Sequence, residues 1–296
     1  MKRKKQFHFN SNTVFTVGIY LVAIIAALLW LYPLVFVISA SVSDPQALLN
    51  GDVLLFPVGF NLNAYEYIFK NNQLLVGYGN TIFYTVVGTA CSLTCTAMAA
   101  YALARRKMVG QNLFSWMITI TMFFGGGLIP TFLTVSNYGL TDTRWSMILP
   151  YLINTWNLIV MRSFFIAYPN EIIESGEIDV LRDPGVFLKL VLPTSKAALA
   201  TIGLYYAVAY WNAYMPSLLY LDSQHADMRP VMHLLQTMIK SVNGEDMNGG
   251  GQEGTHMVGA TIRYCSIMIV VTPIMCVYPF IQKYFVKGVM VGSVKG

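Results

Sequence analysis

Asn154 and Asn157 lie three apart in one apolar run, and Tyr206, Tyr210 and Tyr214 recur every four residues in another, flanked by Trp211 and Asn212. Amides exchange hydrogen bonds with hydroxyl groups and aromatic rings stack on C–H faces, so these residue types suit contact with a polyhydroxylated molecule such as a sugar. At helical spacing each set shares a face. Two readings are open. The residues line a polar path, or they act structurally, with tyrosine and tryptophan in interfacial belts and asparagine bonding across helices.

A second constellation is acidic. In NEIIESGEIDVLR (170–182), Glu171, Glu174, Glu177 and Asp179 interleave with Ile172, Ile173, Ser175, Gly176 and Val180. Asn170 after Pro169 suits an N-cap, and acids in a first turn favour the helix dipole. RDPG (182–185) suits a turn, and VFLKLVL (186–192) a short second helix stopped by Pro193. The predicted unit is helix, turn, helix, with a protruding acidic face fit to dock a soluble partner. A helix resting on lipid would favour a basic polar face instead.

Other chemistry is sparse. His8, His225, His233 and His256 fall outside the apolar runs and are read as surface histidines, with no carboxylate or cysteine pattern to complete a metal site. Cys91 and Cys95 share a helical face; a disulfide or metal pair there is weighed against small buried residues, and the second reading is favoured for them and for Cys265 and Cys276. The glycine triplets at 125–127 and 249–251 lack the lysine and the strand-to-helix setting of a phosphate loop, so no nucleotide cofactor and no catalysis are expected of this chain.

The elements that must position these residues follow from composition. Of the 296 residues 55% are hydrophobic and 11% charged, against about 25% charged in soluble domains. Apolar runs at 14–39, 80–104, 113–133, 145–166, 197–221 and 264–286 reach the ~20 residues that cross a bilayer, and lone spanning segments must be helices. Six spans put both termini on one side. That side carries fourteen Lys and Arg and the other five, so both termini are expected in the cytoplasm. The net charge of +5 is thereby a topology signal, and nucleic-acid binding is not expected. MKRKK before a run of this length reads as an uncleaved helix, since a secretory h-region is shorter, although SAS at 39–41 resembles a cleavage site.

The expected organisation is a cytoplasmic N-terminus at 1–13, a first transmembrane helix at 14–39, an extracellular segment at 40–79, a core at 80–286, and a cytoplasmic tail at 287–296. The core holds five helices, the cytoplasmic segment 167–196 and the extracellular segment 222–263, with a glycine-rich loop at 244–254. Asn80 reads as a cap opening the second span. Gly125–Gly127 with Pro130 admit either gating or close packing.

Segment 170–193 resembles the EAA loop of ABC importer permeases. Glu174 holds the Glu position, Ser175 and Gly176 the small pair, Asp179 the acid before the family's usual Gly, and Leu190, Leu192 and Pro193 the closing motif. Val180 and Leu181 depart from the pattern and leave the bend to DPG at 183–185. FFGGGLIPTFL (123–133), YGLTDTRWSMILP (138–150), LPTSKAALATIGLYYAVAYWNAY (192–214) and YPFIQKYFVKGVMVGSVKG (278–296) are similar to the permeases of oligosaccharide importers, so the resemblance covers nearly all of the chain after residue 14.

That resemblance implies an all-α type I permease fold with six transmembrane helices in the bacterial plasma (inner) membrane. It implies a second, homologous permease, two ATPase subunits that use ATP and Mg, and an extracellular sugar-binding protein. Glu174, Ser175, Gly176, Asp179, Val180, Leu190, Leu192 and Pro193 would couple to the ATPase. Gly249, Gly250 and Gly251 would lie in a loop that reaches the binding protein, or in a plain flexible linker. Asn154, Asn157, Tyr206, Tyr210, Trp211 and Asn212 would line the sugar path, and Tyr210→Ala would then alter transport more than assembly. The rivals are a membrane-embedded enzyme, which needs converging acids or histidines at membrane depth, and an ion-coupled secondary transporter, which needs intramembrane ionisable groups. The spans hold almost none of either.

Overall fold

The computed structural model describes residues 11–70, 72–105, 108–169, 171, 173, 174, 176, 182–242, 259–277 and 279. Every regular element among the described residues is helical. They are α1 (Ser11–Ser41), α2 (Pro45–Asn50), α3 (Asn63–Phe69), α4 (Gln73–Ala104), α5 (Gln111–Phe123), α6 (Leu128–Asn137), α7 (Thr155–Ile166), α8 (Asp183–Thr194), α9 (Lys196–Trp211), α10 (Met215–Tyr220), α11 (Val231–Val242) and α12 (Gly259–Val277). Short 3₁₀ turns at Arg144–Met147, Leu149–Tyr151 and Ser223–Met228 join them.

Among the described residues three helices, α1, α4 and α12, are each long and apolar enough to cross a membrane, and the number rises to five if each sharply bent pair is counted as one span. The expected third span is broken: α5 and α6 meet at 116° across Phe124–Gly127. The expected fourth opens as 3₁₀ turns around Pro150, and its helix begins only at Thr155. Twelve residues at 1.5 Å each make α7 about 18 Å long, short of the ~30 Å hydrocarbon core. The fifth helix stops at Trp211, and the second starts at Gln73, a full two turns before Asn80.

The break before α6 has a local cause. Gly127 sits at φ 84°, ψ 179°, a region essentially confined to glycine. A Cβ at Gly125 would meet open space, and one at Gly126 only an ordinary contact with Pro130. Close packing within this chain therefore does not account for glycine at those two positions. Gly127→Ala is expected to cost about 1–3 kcal/mol and to lower the melting temperature of the purified protein, with Gly125→Ala near wild type. Equal melting temperatures for the two variants would remove the backbone explanation.

The chain divides into two compact units, Met1–Lys70 with Met238–Val271, and Asn71–Thr237 with Thr272–Gly296. In the first, α1 presents an apolar surface exposed from Phe15 to Leu34, as lipid contact requires. Its C-terminal end is polar and buried. Ser39 donates to the Leu55 carbonyl (2.7 Å), Ser43 to the Ser39 carbonyl (2.6 Å), and the Tyr65 hydroxyl to Ser41 Oγ (3.0 Å). Burial raises the Tyr65 phenol above its ordinary pKa. Cys265 Sγ donates to the Ser41 carbonyl at 3.1 Å, so the SAS stretch is packed within helix and loop.

The second unit is built on α4. Its small residues Gly88, Ser92, Thr96, Ala97 and Ala100 are all buried, which lets α7 and α9 approach closely. Ala97, Ala100, Tyr101, Leu158, Met161, Phe165, Phe187, Val191 and Ile202 share one core. At the far end of α4, Asn80 Nδ2 donates to the Asp227 and Arg229 carbonyls (2.5 and 3.1 Å), Tyr84 to the Met228 carbonyl (2.8 Å), and Thr81 Oγ1 accepts from Val231 N–H (2.9 Å). Asn80 is thus a clasp in mid-helix rather than a cap.

Candidate functional site

A cavity of about 820 Å³ opens beside α7, α9 and the turn at 149–151. Asn154, Asn157, Tyr206, Tyr210, Asn212 and Tyr214 all line it; Trp211 does not. The sequence-predicted polar residues are therefore brought together, but their roles differ.

Asn154 caps α7. Its Oδ1 accepts the Asn157 N–H at 3.1 Å, and its own N–H donates to the Tyr206 hydroxyl at 2.9 Å. That hydroxyl also pairs with Thr96 Oγ1 (2.6 Å), while the Tyr210 hydroxyl pairs with Ser92 Oγ (2.9 Å) and donates to the Ile148 carbonyl (3.4 Å). Tyr206 and Tyr210 are 3% and 4% exposed. Tyr210 is seated over Gly88, where an added Cβ would lie 2.7 Å from its Cζ. Both tyrosines chiefly pin α9 to α4. Asn212 closes α9 and turns its Nδ2 back onto the Val208 carbonyl (2.8 Å).

The surface open to the cavity is the neighbouring stripe. Tyr205 and Ala209, four apart on α9, and the capping Asn212 form it, with Pro216 of α10 beyond the break; Tyr205 is 39% exposed. Trp156, which is 56% exposed, and Tyr151 join them. These aromatics were not among the sequence candidates. The every-fourth-residue repeat of tyrosine marked the stripe facing α4, and only the periodicity of the small and polar neighbours marks the open one.

Of the histidines expected at the surface, His233 is 4% exposed, with Nδ1 bonded to Ser217 Oγ at 2.8 Å. The amphipathic α11 buries the face that carries Val231, Leu234 and Leu235, and His233 lies on it. His225 Nδ1 stands 3.7 Å from an Asp142 carboxylate oxygen; Asp142 holds a left-handed backbone (φ 57°) and also accepts the Asp222 N–H at 2.7 Å. His8 and His256 lie outside the described residues. The four cysteines form no disulfide, and among the described residues no three His, Cys, Asp or Glu side chains converge as metal ligands.

The acidic segment forms a second surface. α8 is anchored at its start by Arg105, whose guanidinium reaches Asp183 at 2.6 Å, and along its length by the buried Val186, Phe187 and Val191. Phe187 stacks at 4.9 Å on Tyr101 of α4. Asp183 is 67% exposed, so the ion pair is worth under about 1 kcal/mol and the apolar side chains hold the helix. The helix widens to a π-turn over Phe187–Val191. Leu190 and Leu192 are half-buried against the core, and Pro193 is exposed. Glu174 is helical and exposed, and Gly176 is helical and buried. Ser175, Asp179 and Val180, like Gly249, Gly250 and Gly251, lie outside the described residues.

No protein-family model matches the chain. It is 40% identical over 287 residues, covering 96% of this chain and 99% of the relative, to the polygalacturonan/rhamnogalacturonan transport system permease protein YtcP of Bacillus subtilis (strain 168). It is 28% identical over 286 residues, 95% of each chain, to the arabinooligosaccharides transport system permease protein AraQ of Halalkalibacterium halodurans. Among solved structures, a chain of a bacterial ABC transporter involved in the import of the acidic polysaccharide alginate superposes with TM-score 0.82 at 30% identity, covering 95% of this chain and 100% of that one.

Proposed function

Given that the chain belongs to the permease subunits of carbohydrate ABC importers, we propose that it couples ATP hydrolysis on partner subunits to passage of a sugar along the cavity beside α7 and α9. It is a transport component and a multi-pass membrane protein. In the full reading the chain crosses the bacterial plasma membrane six times with both termini inside. It pairs with a second, homologous permease, receives sugar from an extracellular binding protein through the segment that includes Gly249–Gly251, and binds no nucleotide itself. ATP and Mg act on two ATPase subunits docked at Glu174 and its neighbours.

The observation that carries this reading is the pairing of two surfaces on one core. α8 is locked to α4 and α7 by Phe187 and Val191, and the same three-helix core, through α9, forms the cavity wall. A push on the docking segment is therefore delivered to the helices that line the path. Affinity purification from native membranes should recover a second permease and an ATPase. The path itself is tested with Ala209→Trp, because Ala209 is exposed on the cavity wall and a larger side chain there has room without repacking the core. The variant importer should assemble normally, and ATP-driven uptake of the sugar carried by its binding protein should fall to background. Undiminished uptake would place the path elsewhere.

A further inference from the structure

We propose that Arg162 is the positioning residue that carries movement of the docking segment to the cavity wall, an inference that rests on α8 belonging to the ATPase dock. Arg162 is the one charged side chain on α7. A charge in an apolar run is costly and is kept where it has a partner. Here the partner is a backbone group: Arg162 Nε–H donates to the Leu103 carbonyl at 3.1 Å. Leu103 lies in the last turn of α4, where carbonyls lack an intrahelical donor and the helix dipole favours a cation.

The same carbonyl accepts from Gln111 Nε2 at 2.6 Å, so one oxygen ties the end of α4 to both α5 and α7. The docking helix α8 is held to the same stretch, by Arg105 on Asp183 and by Tyr101 against Phe187. Tyr101, Leu103 and Arg105 thus gather α5, α7 and α8 within little more than one helical turn. Of those three helices α7 alone carries cavity-lining residues, Trp156 and Asn157, near its opposite end. Met161 and Phe165 hold α7 in the core whatever stands at 162, but apolar contacts allow packed helices to slide slightly. A directed hydrogen bond from a charged group fixes their register.

Cysteine labelling of the complete importer in lipid nanodiscs, binding protein and ATPase included, tests this. The four native cysteines are replaced by alanine, and Trp156→Cys is reacted with a cationic methanethiosulfonate reagent with and without saturating MgATP. Trp156 is 56% exposed on the cavity, so the probe sits on α7 without opening the core. MgATP should change the labelling rate. Arg162→Ala should shrink that change about tenfold, the factor for one hydrogen bond to a charged group, while ATP hydrolysis and ATPase co-purification stay near wild type. Arg162→Lys, which can place one N–H on the same carbonyl, should restore most of it. Gln111→Ala, which frees α5 and not α7, should leave it unchanged. A full nucleotide response in Arg162→Ala, a response lost together with ATPase binding, no rescue by lysine, or an equal loss in Gln111→Ala would each overturn the role of Arg162. No response with Arg162 in place would remove the coupling reading itself, and the inference with it.

Discussion

Glu174→Lys abolishes ATP-driven uptake while leaving the chain inserted and folded: that is the expected result with the largest effect. Glu174 is exposed on a helical stretch, so reversing it should shift the chain's own stability by no more than about 0.5 kcal/mol. At a docked interface the same reversal turns an attractive contact into a repulsive one. Losing a buried interfacial charge pair costs about 2–5 kcal/mol, which corresponds to a roughly 30-fold or greater fall in ATPase association. Uptake into proteoliposomes and co-purification of the ATPase should fall together. Normal uptake would show that the acidic face is not the docking surface, whatever the family pattern.

The acidic segment has a local pattern in the sequence, and the structure redraws part of it. The pattern predicts a turn at 182–185 and a stop at Pro193, whereas Asp183–Gly185 open α8, where a proline in the first turn is tolerated, and Pro193 lies within that helix. The cavity was half legible. Asparagine and tyrosine in apolar runs gave the right helices, α7 and α9, but the face of α9 that opens to the cavity depends on where α4 packs. Gly88 and Ser92 decide that, and they lie more than a hundred residues from Tyr210. The bend at Gly127 was hidden for another reason: apolar composition across 113–133 is continuous, and one backbone conformation interrupts it. The clasp of Asn80, Thr81 and Tyr84 had no signature at all, since its partners are backbone groups of any residue type.

Tyr210→Ala is the second large effect. Its placement shifts the expectation from transport more than assembly to the two together. Removing a fully packed aromatic ring costs about 3–5 kcal/mol, because the gap over Gly88 cannot close. The buried Ser92 hydroxyl then loses the partner at 2.9 Å, adding about 1–3 kcal/mol. Gly88→Ala should act in the same direction by driving a Cβ into the ring, and Tyr210→Phe should be milder because the ring stays. Yield of the assembled importer and its melting temperature would be measured beside uptake. Lost uptake with unchanged yield and melting temperature would return Tyr210 to direct contact with the sugar.

The clasp at the far end of α4 bears on how this protein can change over time. Asn80, Thr81 and Tyr84 hold residues 227–231 by carbonyls and one N–H, never by a side chain of that segment. Asp227, which is exposed, is therefore an exchangeable letter on a fixed scaffold, whereas Met228 also packs against the core. A lineage could rewrite the outer face of this segment, and with it whatever meets that face, without moving the chain that displays it.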